Sequence, residues 1–204
     1  MIDTTAPRFG LPPSLWIPIA AVSVADIEKY VGNVLRSSIN ARSGRVNAVL
    51  VMANATSVPE EPNVPLWTSP LASLARERLH PVHQVWVHVD FGGYRQAYTD
   101  FGMPMPAANY FLDHIQNRKA IRLREYSHPY LRLCPVHRTV NTSGGHATGG
   151  EGMERAFLST HAIEPAPNRM IYADPMDLTK MLDIAPGTQV LNGVRDTQQL
   201  FYPC

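Results

Sequence analysis

Cysteine is scarce in this chain of 204 residues: only Cys134 and Cys204 are present. Two thiols so far apart cannot form the dense disulfide framework of a small secreted domain, and a reducing compartment is the simpler expectation. Charge is also thin, at 17% of residues, with a net of +1. A chain so nearly neutral is not a polycation that coats nucleic acid along its whole length. Long apolar runs are missing too. The longest, Leu15 to Ala25, is interrupted by Pro18 and Ser23 and is too short to span a bilayer. No opening segment has the basic, apolar, small-residue order of a signal peptide. An intracellular protein with no membrane association is therefore expected. The 45% hydrophobic content is enough to bury a real core, so the chain is not of the disordered class.

The little charge there is has an uneven distribution. Between His114 and Arg138 stand six Arg or Lys residues and one acid, Glu125, leaving 12 basic and 16 acidic residues elsewhere, a net of −4. A basic segment on a mildly acidic body suggests a local anionic partner, and nucleic acid is one such partner.

Periodicity predicts the elements. Residues 1–14, with Pro7, Gly10, Pro12 and Pro13, read as an extended arm. Residues 15–204 read as a single globular domain. Leu15–Val22 and Val46–Ala53 read as apolar strands, and Val82–Phe91 alternates as a strand should. Ser23 caps a helix, and the helical spacing of Ile27, Tyr30, Val31, Val34 and Leu35 carries it to about residue 40. Further helices are expected over Leu71–Leu79, Ala107–Arg124, Pro175–Leu182 and Leu191–Phe201. Tyr130–Cys134 reads as a strand stopped by Pro135, and Met170–Ala173 as another. This mixture predicts an α/β or α+β fold, a single mixed sheet flanked by several helices.

Candidate chemistry concentrates in residues 113–155. On the helix expected there, His114, Asn117 and Arg118 share one face, since residues three and four apart are neighbours. That stripe, with Arg122 and Arg138, would bind phosphate; a solvated helix face is the plainer alternative. Cys134-Pro-Val-His137 has the spacing of half a zinc site, which His128 and His146 would complete. The run Ser143–Gly152 holds five glycines, which let backbone N–H groups turn toward an anion. Gly144, Gly145 and the following Arg155 are the candidates there; the alternative is a loop that only a partner orders.

The segment Phe111-Leu-Asp-His-Ile115, followed by Tyr130-Leu-Arg-Leu-Cys134 and by Arg138-Thr-Val-Asn-Thr-Ser-Gly144, resembles the His-metal-finger (HNH) nucleases. There an apolar-Asp-His step precedes an apolar strand and an Asn-containing turn. The resemblance implies a phosphodiesterase with His114 as general base and Asp113 and Asn141 beside one divalent metal. With His137 and His146 as further donors, the ion would be Mg or Zn. In that family the Asp-His step usually lies on a strand or loop, whereas here periodicity predicts a helix. Two other readings stay open. One is a non-catalytic nucleic-acid or ribonucleoprotein component. The other is a homo- or hetero-oligomeric assembly subunit, such as a shell protein, that uses the arm and the glycine-rich loop as contacts.

Overall fold

The computed structural model describes residues 11–54, 64–123, 125–138, 140 and 169–184. A 3₁₀ turn, Pro13–Leu15, leads into β1 (Pro18–Ala21) and α1 (Val24–Tyr30). Then follow β2 (Gly32–Ile39), β3 (Val46–Ala53), α2 (Pro65–Thr68), α3 (Ala72–Leu79), β4 (His83–His88) and α4 (Tyr94–Asp100). The remaining elements are β5 (Tyr110–His114), α5 (Arg118–Leu123), β6 (Tyr130–His137), β7 (Met170–Tyr172) and α6 (Pro175–Met181). The strands form one sheet in the order β2–β3–β4–β6–β1–β7, with β5 added alongside the later half of β6. Every pairing among the described strands is antiparallel, not mixed. This is the α+β form of the expected fold: one sheet with several helices packed on it.

Alternation along the central strands gives the sheet two buried faces. Ala48 and Leu50 of β3 and Val85 and Val87 of β4 meet Ala97 and Tyr98 of α4 and Phe101 just after it. Their neighbours Val49, Val51 and Trp86 pack instead around Ile27 of α1. The largest apolar cluster joins Leu66 and Trp67 of α2, Ala75 and Leu79 of α3, and Leu178 and Met181 of α6 to Ile19, Cys134 and Val136 of the sheet.

Two helices expected from periodicity are shorter than their patterns or replaced. The helix from Ser23 stops at Tyr30, and residues 32–39 are strand β2, paired along their length with β3. Ser23 does cap it, accepting the Asp26 N–H at 3.2 Å. The change of period falls at Gly32, which lies directly against Met52 and Ala53 of β3. The helix expected over 107–124 is also overturned. Residues 110–114 are β5, and only Arg118–Leu123 is helical. Finally, β6 runs through Pro135 to His137. Pro135 pairs with Leu112 of β5, and its carbonyl accepts from Arg78 Nη1 at 2.9 Å.

α6 matches its expected start. Asp174 Oδ1 accepts the Asp177 N–H at 2.8 Å while Asp177 Oδ2 accepts the Asp174 N–H at 3.1 Å, a reciprocal cap. The helix ends with Asp183 in the left-handed region (φ 57°) and Ile184 N donating to Thr179 O at 3.1 Å, a Schellman turn. That turn aims the Asp183 carboxylate at Arg78, 3.1 Å away, and at the His137 N–H, 3.0 Å away. No helix among the described residues is long and apolar enough to cross a membrane.

Candidate functional site at the end of β5

Leu112 and His114 stand on the α4 side of β5. Leu112 joins the cluster of Ala97, Tyr98 and Phe101, and the His114 ring lies edge-on to Tyr94 of α4 at 4.7 Å between centroids. Asp113, between them, faces the other way and pairs with Lys180 of α6 at 2.5 Å. The Asp-His step therefore spreads its side chains across the two faces of an edge strand. The expected stripe of His114, Asn117 and Arg118 on one helix does not exist, because His114 ends a strand. Asn117 caps α5 instead: its Oδ1 accepts the Lys119 N–H at 2.8 Å.

His114 is only 6% exposed, and its Nε2 has no hydrogen-bond partner. Burial pushes its pKa down to about 4, against the pull of Asp113 and with the help of nearby Arg118, Lys180 and Arg122. The imidazole is thus neutral at pH 7 and sits in a positive field.

A protonated His114 is disfavoured in the fold, so the unfolded chain binds more protons between about pH 6.5 and pH 4, and stability drops as pH falls through that window. We expect His114→Gln to remove about 2–3 kcal/mol of the stability difference between pH 7 and pH 4.5, measured by urea unfolding at both. An unaltered difference would show that His114 does not titrate as its burial requires.

The basic segment is partly consumed by structure. Arg118 Nε donates to Val89 O at 2.8 Å, and Arg122 Nη2 donates to the same carbonyl at 3.4 Å. Arg122 also pairs with Asp90 at 3.0 Å. Both arginines thereby brace the turn after β4. Arg118 forms no ion pair among the described residues. Arg138 lies over the Phe111 ring at 5.3 Å. Arg132 is not on the surface at all: it is 1% exposed, inside the sheet, with Nη2 donating to Arg78 O and Leu79 O at the end of α3. A continuous positive surface over 118–138 is therefore interrupted at its centre.

The metal donors do not converge. His137 stands opposite Tyr110, with the two rings edge-on at 5.1 Å, whereas Asp113 stands opposite Cys134. Three ladder positions, roughly 10 Å, separate them. Cys134 is buried in the apolar cluster of α2, α3 and α6, where burial raises its thiol pKa. Among the described residues no group of three His, Cys, Asp or Glu side chains could hold a metal ion. Asn141, Gly144, Gly145, His146, Arg155 and the whole glycine-rich run lie outside the described residues, as do residues 1–10 of the expected arm.

Lys180 and Tyr94 are the parts of this site that sequence reading missed. Neither has a local signal, since each is brought to β5 only by packing of its helix. No family model, curated protein or solved structure matches this chain.

Proposed function

We propose that the end of β5 is a phosphate-directed site, and that the chain is a phosphodiesterase with His114 as its general base. The observation that carries this reading is a neutral, nearly buried imidazole, its Nε2 without a partner, set among Arg118, Arg122 and Lys180. Such a field attracts an anion. A phosphodiester bound there would put a negative charge beside the imidazole and so raise its pKa from about 4 toward the value a base needs. His114 would then accept the proton of an attacking water as the new P–O bond forms and the bond to the leaving oxygen breaks. The antiparallel pairing of β5 with β6 adds support, since it puts the Asp-His step on a strand, as is usual in the His-metal-finger nucleases it resembles.

A divalent ion, Mg or Zn, belongs to that resemblance. The described residues do not fit one, because Asp113 is held by Lys180 on the face opposite His114 and His137 is offset along the ladder. No step is therefore drawn through a metal.

Incubation of the full chain with plasmid DNA and with single-stranded DNA and RNA tests the proposal. Cleavage should fall by roughly 10²–10⁴ in His114→Ala, with His114→Gln as a second variant that keeps more of the side-chain volume. Absence of cleavage by the wild type on every substrate, or equal cleavage by both variants, sinks the catalytic role.

A second reading, an assembly subunit, has one specific observation in its favour. β2 is an edge strand of the described sheet, with Leu35 46% and Ile39 58% exposed. Unpaired edges of this kind recruit other strands. A chain that cleaves nothing and sediments as an oligomer would belong to this reading.

A further inference from the structure

Resting on the phosphate-directed reading, we infer that the cation at this site is built into the chain: Lys180, ion-paired to Asp113 across the edge of β5, takes the place of a divalent ion and, with Arg118, supplies the positive charge that receives a phosphodiester.

Four observations lead there. First, the one carboxylate next to His114 already has a cation, since Lys180 Nζ lies 2.5 Å from Asp113 Oδ2. Second, that lysine is held by a well-anchored helix. α6 is capped reciprocally by Asp174 and Asp177, buries Leu178 and Met181 in the main core, and is tied at its far end by Asp183 to Arg78 and to the backbone of His137. An ammonium so placed costs little further ordering when a ligand arrives. Third, the pair is only partly covered, with side-chain exposures of 25% for Lys180 and 26% for Asp113, so a ligand can reach it. Fourth, β5 pairs with β6 alone among the described strands, so its outer edge, beside Lys180, is open to a ligand. Arg118 adds a guanidinium whose Nε is fixed on Val89 O and which forms no ion pair among the described residues.

A divalent ion would have to displace Lys180 from Asp113 to bind there. Loss of that charge-assisted contact would then weigh against every metal–carboxylate bond formed. A lysine instead offers a compact point charge that can shift between a carboxylate and a phosphate oxygen.

The experiment has two arms, both on the full chain. In one, a fluorescein-labelled single-stranded oligodeoxynucleotide is titrated, and its cleavage followed, in EDTA and in Mg²⁺. In the other, binding of Mn²⁺ alone is followed by its electron paramagnetic resonance signal. Wild type should bind and cleave as well in EDTA as in Mg²⁺, and should show no saturable Mn²⁺ binding below the millimolar range. Lys180→Met should weaken oligonucleotide binding in EDTA by roughly 10–100-fold, the loss of one hydrogen bond between charged groups. Lys180→Arg should restore most of the oligonucleotide affinity. Cleavage or binding that requires Mg²⁺, or saturable Mn²⁺ binding by wild type that Asp113→Asn abolishes, overturns the inference and leaves the phosphate-directed reading standing. Neither binding nor cleavage under either condition overturns both. The wild-type arms need no variant, so a misfolded Lys180→Met leaves the proposal open to refutation.

Discussion

Gly32→Ala should cost at least about 3 kcal/mol, more than most overpacking substitutions, and is the most damaging single methyl group we expect in the described fold. A Cβ at this position would stand 2.1 Å from Met52 O and 2.8 Å from both Ala53 Cα and Asn54 N. All three obstacles are backbone, so no rotamer change relieves the clash. The only escape is to part β2 from β3 where they begin to pair, beside the bond from Asn54 N to Val31 O at 2.9 Å. Ser37→Ala, an exposed change in the same strand, serves as the control and should stay within about 0.5 kcal/mol. Urea unfolding of the three proteins checks this. A Gly32→Ala protein as stable as the control would mean that the two strands approach less closely than described.

Arg132 should produce the second large effect, and the size depends on what replaces it. Its guanidinium is buried, still charged at pH 7 although burial pulls its pKa down to about 10, and uses only Nη2. Nε and Nη1 have no partner. No carboxylate pairs with it among the described residues. Two effects oppose each other. Truncation to Ala opens a hole in the sheet and removes the donor that satisfies two carbonyls at the end of α3, for about 3–5 kcal/mol. Removing an unpaired buried charge returns several kcal/mol. Met fills most of the volume and carries no charge, so Arg132→Met should lie within about 1.5 kcal/mol of wild type, and Arg132→Ala, which regains the same charge term but leaves the hole, should be about 2–3 kcal/mol less stable than Arg132→Met. Equal losses in both variants would show that the two carbonyl contacts, not volume, set the value of this residue.

Legibility in the sequence followed the range of the interactions involved. β3, β4, α3 and α6 are readable because their signals are local: valine-rich runs and alternation in the strands, an Asp cap on α6 and prolines at the borders. The segments of β2 and β5 carry a helical pattern for a shared reason. Val31, Val34 and Leu35 recur at helical spacing, and so do Ala108, Phe111, Leu112 and Ile115, yet each segment has a strand to pair with: β2 forms a hairpin with the next strand, β3, and β5 pairs with β6 beyond α5. Ladder hydrogen bonds to β3 and β6 override a local period, and no local pattern announces them. The same limit governed the site. The Asp-His step was visible as residues, but its division across two faces follows from β5 being a strand. Lys180 comes from a helix more than 60 residues away in the chain. Arg132 belongs to the basic run by sequence, and nothing in Leu131-Arg132-Leu133 says that its side chain faces the core. Pro135 signals a strand end, yet β6 continues because β4 and β1 pair with it only over Tyr130–Arg132, so at Pro135 it has β5 as its one partner among the described strands.

The order β6–β1–β7 has a consequence for how the chain acquires its shape. The first strand is enclosed by the last two, pairing Ala20 with Leu131 on one side and with Ile171 on the other. During synthesis from the N-terminus, β1 has no neighbour until more than 100 further residues have emerged, whereas β2, β3 and β4 can zip together in succession as they appear. Closing such long loops is entropically costly and slows the search. A ribosome-bound chain would therefore hold a finished hairpin region beside an unclaimed apolar strand, and Ile17 and Ile19 would stay exposed to chaperones until residues 130–137 arrive.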